Sequence, residues 1–161
     1  MPNEPRLPEI DRGTEVFSID PLTVREHFAV DYLRGCKQDT PFFHGLAKGR
    51  LLGSHCLQCQ YKFATPRVHC MYCGRPTQWF ELPHEGRVHS WTVCYYAAQE
   101  FLHEVPFTLV LVEFEGVDTL FLSRLIGVER SDMRIGLRIK ARFRRKATWS
   151  VRDVYFVRAK L

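Results

Sequence analysis

Residues 137–143, LRIKARF, alternate without a break. Leu137, Ile139, Ala141 and Phe143 fall on one side, and Arg138, Lys140 and Arg142 on the other. A period of two marks a strand with one buried face. Four other stretches share the strand character. GRVHSWTVCYY, from Gly86, is rich in β-branched and aromatic residues; FTLVLVEFEG, from Phe107, is a nearly continuous apolar run; DTLFLSRLIG, from Asp118, and VRDVYFVRA, from Val151, complete the set. Glycines punctuate these runs, and GVD at 116–118 predicts a tight hairpin turn between the second and third strands. ERSDMRIG is too short for a full helix between the third and fourth. Five strands spaced this way fit a five-stranded Greek-key barrel of the OB type, with a split sandwich as the main alternative.

Upstream the period changes. In SIDPLTVREHFAVDYLRGC, Val24, Phe28 and Tyr32 recur every four residues, with Ala29 and Leu33 beside them. Asp20 can cap this helix, Pro21 suits its first position, and Gly35 ends it. TPFFHGLAKGRLL predicts a second short helix, with Phe42, Phe43 and Leu46 on one side and Gly49 as its stop. These apolar faces either cover the domain's own core or dock onto a partner. Residues 1–15 are rich in proline and charge and read as a flexible tail. The expected organisation is therefore a tail at 1–15, a helical segment at 16–50, a cysteine-bearing segment at 51–83 and a β domain at 84–161.

The cysteine segment carries the sharpest chemical signal. Cys56 and Cys59 form one C-x-x-C pair, and Cys70 and Cys73 form another ten residues on. Two such pairs supply four thiolates that converge on one tetrahedral ion, for which zinc is the expectation and iron the chemical alternative. The excursion between the pairs is long enough for a β-hairpin that brings the second over the first. Four protein ligands close the coordination sphere, so the metal is expected to be structural rather than catalytic. His55 and His69 each precede a cysteine and read as exposed loop histidines. His89, His103 and Cys94 could be combined into a nucleophile and base, but no orienting third group or oxyanion signature accompanies them. A small buried hydrophobe is the better reading of Cys94.

Charge adds an asymmetry. The chain of 161 residues has a net charge of +5, yet residues 134–161 hold ten basic side chains against Asp153 alone. A basic end of this kind suits a nucleic acid, a polyphosphate ligand, an acidic protein surface, or simply a solvated strand face. No run reaches the ~18 apolar residues of a membrane span. The first residues lack the pattern of a secretory signal. Paired cysteines without such a signal point to a reducing compartment, so the expected location is cytoplasmic.

Several motifs occur in an order that is more specific than the cysteines alone. FFHGLAKGRLLGSHCLQCQYKFATPRVHCMYC, EGRVHSWTV, VPFTLVLVEF and LIGVERSDMRIGLRIKARF together resemble the zinc-ribbon/OB-fold proteins found beside thiolases and other acyl-CoA enzymes, the family called domain of unknown function 35. The resemblance covers about residues 41–159. It implies a mainly β protein: N-terminal helices, a rubredoxin-like zinc ribbon, then a five-stranded OB barrel. It also implies an accessory role, in which the chain binds a thiolase-type partner as a hetero-oligomer and helps bind coenzyme A or acyl-CoA in a degradation pathway. The catalytic residues would then belong to the partner. Family ribbons often carry CP-x-C at the second knuckle, whereas this chain reads Cys70-Met71-Tyr72-Cys73, which keeps the metal spacing and alters the surface.

On that reading Cys56, Cys59, Cys70 and Cys73 hold the metal. Arg67, Lys62, Arg142 and Arg144 are candidates for the phosphates of coenzyme A, and Tyr61 or Tyr72 for stacking its adenine. Phe28, Tyr32, Phe42 and Phe43 are candidates for docking the partner. Two other functions compete. A single-stranded nucleic-acid binder would use the basic strand, but Phe143 alone interleaves its cations, which is thin for stacked bases. A stand-alone thioesterase would need catalytic work from Cys94 or His89.

Overall fold

The computed structural model describes Leu33 and residues 35–160. The expected tail and the helix bearing Phe28 and Tyr32 lie outside the described residues. Eight strands and one α-helix make up the rest, with short 3-10 turns between them. No helix among the described residues is long and apolar enough to cross a membrane.

The helix α1 spans Thr40–Ala47, with Pro41 in its first turn, where a missing N–H costs nothing. It ends at Lys48, and Gly49 follows with φ +72°. Phe42 and Leu46, four apart, are buried in the same core as the barrel interior. Phe42 was a candidate for partner docking; its ring instead packs 6.4 Å from Phe121 and is 5% exposed. Withdrawing it would cost the domain about 1.5–3 kcal/mol of burial. The apolar face of α1 therefore covers the domain's own core, and Phe43, half-buried, packs beside it.

Three short strands form the first sheet: β1 (Leu52–His55), β2 (Lys62–Phe63) and β3 (Gln78–Glu81), with β1 in the centre and both pairings antiparallel. Gly53 on β1 is required by closeness. A Cβ there would lie 2.6 Å from the carbonyl oxygen of Phe63 and 3.0 Å from the ring of Phe80.

The remaining strands are β4 (Glu85–Cys94), β5 (Phe107–Glu113), β6 (Phe121–Leu125), β7 (Arg138–Phe143) and β8 (Val154–Arg158). They close into a barrel in the order β4-β5-β6-β8-β7, in which β6–β8 is parallel and the other pairings are antiparallel. Closure decides for the OB-type barrel over the split sandwich. The alternation expected for 137–143 holds: Leu137, Ile139 and Ala141 are buried, and Phe143 packs against them from the rim. Val88, Val110, Val112, Phe121 and Phe156 complete the interior.

Two local expectations change. The connection between β5 and β6 is not a tight hairpin turn; it runs over 114–120, turns at Gly116 with φ +68°, and reaches across to the first sheet. The last stretch becomes strand only from Val154, because Val151–Asp153 forms a 3-10 turn closed by a capping box between Ser150 and Asp153.

Candidate metal centre

The two cysteine pairs sit at one end of the small sheet, where His55 of β1 faces Lys62 and Gln78. Cys56 follows β1 directly, and the chain returns as β2, so the first knuckle is itself the turn of the β1–β2 hairpin. The hairpin expected in the middle of the excursion is therefore absent: only Lys62 and Phe63 pair there, and the chain runs irregularly to Cys70. The second knuckle lies between β2 and β3 and is closed by a single bridge, His69 to Pro76.

The knuckles are built alike. The amide of Cys56 donates to the carbonyl of Tyr61 at 2.9 Å, and the amide of Cys70 donates to that of Arg75 at 2.9 Å, each five residues on. The residue after each pair turns left-handed, Gln60 with φ 59° and Gly74 with φ 70°. Backbone amides also face sulfur. Cys59 N–H donates to Cys56 Sγ and Tyr72 N–H to Cys70 Sγ, both at 3.4 Å. Such donors favour the thiolate form.

The four sulfurs lie within 4.8 Å of one another, with Cys56 Sγ and Cys73 Sγ 3.6 Å apart. A tetrahedral site with metal–sulfur bonds of about 2.3 Å has sulfur–sulfur edges of about 3.8 Å. The donor set thus fits one tetrahedral ion. Cys56 and Cys70 are buried, and Cys59 and Cys73 face outward. Cys70 and Cys59 differ sharply. Burial pushes Cys70 up, but the backbone amides of Cys73 and Tyr72 and the neighbouring thiols outweigh it and bring it down to about 7. The Cys73 side chain, then burial and the other two thiols, push Cys59 up to about 12. Four thiolates in contact repel one another, and a bound cation offsets that repulsion.

Neither adjacent histidine belongs to this group. His55 is not a loop residue; it lies in β1, and its Nε2 is buried without a hydrogen-bond partner. His69 is exposed. Of the residues considered for catalysis, His89 approaches Glu113 at 3.5 Å and His103 neighbours Glu104. Among the described residues no hydrogen bond joins Cys94 to either histidine.

The coenzyme A candidates separate into two places. On the ribbon, Tyr61 and Tyr72 meet edge to face at 4.8 Å, and Tyr61 also contacts Phe63 at 5.0 Å. Lys62 lies in β2, and Arg67 is anchored by its amide to Ser54 Oγ at 2.8 Å. On the barrel, Arg142 projects from β7 into a groove lined by none of the ribbon residues, and Arg144 Nε donates to the carbonyl of Arg152 at 3.1 Å.

Sequence reasoning missed the buried Asp153. Its carboxylate accepts from the amide and hydroxyl of Thr148 and from the amide of Ser150, and it fixes the turn into β8. The signal was present as Ser150-x-x-Asp153, a capping-box spacing.

Comparison with known proteins extends this picture. A family profile described as "ChsH2, C-terminal OB-fold domain" matches residues 79–144. A DUF35 domain-containing scaffold protein of Methanothermobacter thermautotrophicus is 31% identical over 97 residues, covering 59% of this chain and 72% of the relative. One of Methanocaldococcus jannaschii is 27% identical over 97 residues, covering 59% and 68%. Among solved structures, the Ltp2-ChsH2(DUF35) aldolase aligns with a TM-score of 0.58 at 22% identity, over 74% of this chain and 91% of that one. A DUF35 family protein from Sulfolobus solfataricus aligns with a TM-score of 0.53 at 20% identity, over 74% and 84%. These two similarities speak for the fold.

Proposed function

The chain belongs to the DUF35 family, and on that premise we propose that it is a non-catalytic accessory subunit that scaffolds a thiolase-type acyl-CoA enzyme. The observation that carries this reading is the 31% identity to a DUF35 domain-containing scaffold protein across 72% of its length. The Ltp2-ChsH2(DUF35) aldolase, whose name joins a DUF35 component to an aldolase, is a precedent for the fold. A four-sulfur set closed on itself supports the same reading, because it leaves no open position for a substrate.

We assign the ion to zinc, held by Cys56, Cys59, Cys70 and Cys73. Zinc there would supply cross-linking of the two knuckles, not chemistry. Residues 51–83 then form the ribbon and 84–161 the barrel domain. The docking of the partner falls to Phe28, Tyr32 and the half-buried Phe43, since Phe42 is committed to the core.

Co-expression tests this. The tagged full-length chain is produced with the thiolase-type enzyme of the same genome, and the eluate is assayed for that enzyme and its activity. Stable co-elution is expected, weakened at least about tenfold by the pair Phe28→Ala and Tyr32→Ala. Separate elution, with the enzyme fully active alone, would refute the scaffold reading.

A further inference from the structure

The chain between β4 and β5, residues 95–106, forms a strap that contains the 3-10 turn Gln99–Glu104. It meets the outer face of β5 and β6 at Arg124. Val110, Ser123 and Leu125 point into the barrel and are buried, so their neighbours Leu109, Leu111, Leu122 and Arg124 point outward. Across the strand pair Leu109 stands beside Arg124 and Leu111 beside Leu122, and Leu122 is 58% exposed. In OB barrels the second and third strands and the loop after the first form a face that takes ligands. Here that loop itself sits on the face.

Apart from its two covalent ends, side chains hold the strap down. Among the described residues no backbone hydrogen bond joins 95–106 to the rest of the barrel. Glu104 accepts a hydrogen bond from Arg124 and lies 3.7 Å from Arg152, which comes from the turn before β8. His103 stands 3.6 Å from the same carboxylate. Both guanidiniums also rest on rings. Arg124 is 4.1 Å from the centre of Phe107 and 5.9 Å from that of Phe101, and Arg152 is 5.0 Å from that of Phe101. Two cations brought together repel unless an anion joins them, and Glu104 is that anion. The hydrogen bond from Arg124 is the main cause that holds its carboxyl below the ordinary 4.5, so it is ionised at neutral pH.

We propose that Arg124 and Arg152 form a carboxylate site that Glu104 occupies in cis, and that an acidic segment of a partner protein, its carboxylate flanked by apolar residues, displaces the strap and takes its place. The chemistry of the occupant is read from Glu104, a carboxylate shared by two stacked guanidiniums. The apolar flanks are read from Leu109, Leu111 and Leu122. A nucleic acid would need Phe101 and Phe107 as platforms for its bases, and both rings already carry a guanidinium. A carboxylate held in cis lowers the apparent affinity for any from outside, so the strap sets a threshold for binding. The site stands on the barrel and its own strap, apart from the scaffold reading, and its test uses this chain alone.

Chymotrypsin cleavage after Phe101 of the full-length, metal-loaded chain reports the strap. Glu104→Ala should quicken that cleavage at least about fivefold, because proteolysis follows the open population. Glu104→Gln, nearer in shape, should act in the same direction to a smaller degree. Calorimetric titration at about 50 mM salt, where ion pairs are weakly screened, reports the site. The probes are a capped peptide of alternating leucine and glutamate, the same peptide with glutamine for glutamate, and single-stranded dodecathymidylate. Glu104→Ala should bind the glutamate peptide at least about tenfold more tightly than the wild-type chain, and neither should bind the glutamine peptide. Adding Arg152→Ala should remove that gain, and adding Arg124→Lys, which keeps the charge and loses the fork, should reduce it. Thermal midpoints confirm that each variant is folded. Cleavage unchanged in Glu104→Ala would overturn the proposal, as would peptide binding that is no tighter or is indifferent to both arginine variants. Tighter binding of the oligonucleotide than of the peptide would overturn it and give the face to a nucleic acid.

Discussion

The amide of Lys62 donates to Asp118 Oδ2 at 2.8 Å, and the amide of Asp118 donates back to the carbonyl of Lys62 at 3.1 Å. This reciprocal pair ties β2 of the ribbon to the β5–β6 connection of the barrel. The amide of Ala64 strengthens it by donating to Thr119 Oγ1 at 2.8 Å. The clasp fixes the small sheet and the barrel in relation to each other.

Asp118→Ala removes one half of the clasp and leaves the Lys62 amide without its acceptor. The expected loss is ~1–2 kcal/mol, because the site is partly exposed and water replaces part of the bond. Urea unfolding measures the loss. Hydrogen exchange at Lys62 should quicken, while exchange at Val110 and Val112 in the barrel stays slow.

Removing the metal should act on the ribbon and spare the barrel. Cys56, Phe63 and Cys70 form a small cluster of their own, distinct from the core shared by α1 and the barrel. Structural zinc contributes an apparent ~10–16 kcal/mol in finger peptides, more than so small a cluster can replace. A strong chelator, or Cys73→Ser, should expose the amides of Cys56 and Cys70 to exchange and leave the barrel folded. Elemental analysis of the native chain should find one zinc per chain. Iron in its place would change the assignment of the ion and not the geometry.

Asp153 should steepen the acid side of the stability profile. Burial pushes its carboxyl up, but the side chain and amide of Thr148 and the amides of Ser150 and Trp149 outweigh that and hold it below its ordinary 3.8. A depressed carboxylate stabilises the fold above its unfolded value and loses that contribution as pH falls through the lower folded value. The wild-type chain should therefore weaken below about pH 4. Asp153→Asn should start ~1–3 kcal/mol less stable at neutral pH and lose less on acidification. Thermal midpoints across pH 3–7 for both proteins check the sign.

Gly86 of β4 pairs with Ile139 of β7 and lies tight against the end of β5. A Cβ there would lie 2.7 Å from Val112 Cγ1 and 2.8 Å from the carbonyl oxygen of Glu113. The backbone oxygen cannot rotate aside, so Gly86→Ala should cost ~1–3 kcal/mol and loosen the β4–β5 pairing. A midpoint unchanged in urea would show that the strands part more easily than this packing suggests.

What could be read from the chain beforehand follows physical range. The period of two at 137–143 is local, so β7 and its buried face were legible residue by residue. The cysteine spacing fixes its own geometry, so the four-sulfur site was legible as well. Phe42 was not, because an apolar helix face looks the same whether a core or a partner covers it. The Asp118–Lys62 clasp joins residues 56 apart, and no local pattern announces it. β3, read as part of the ribbon segment, becomes a strand only by pairing with β1, since Gln78 and Glu81 are exposed and give no clear alternation. The strap site needed the barrel to bring Arg124 and Arg152 to one carboxylate.

Native mass spectrometry of the chain co-expressed with the thiolase-type enzyme of the same genome tests the proposed scaffold role. One hetero-oligomer is expected, with both chains and one zinc for each copy of this one. Two separate species, each intact and with the enzyme at full activity, would contradict it.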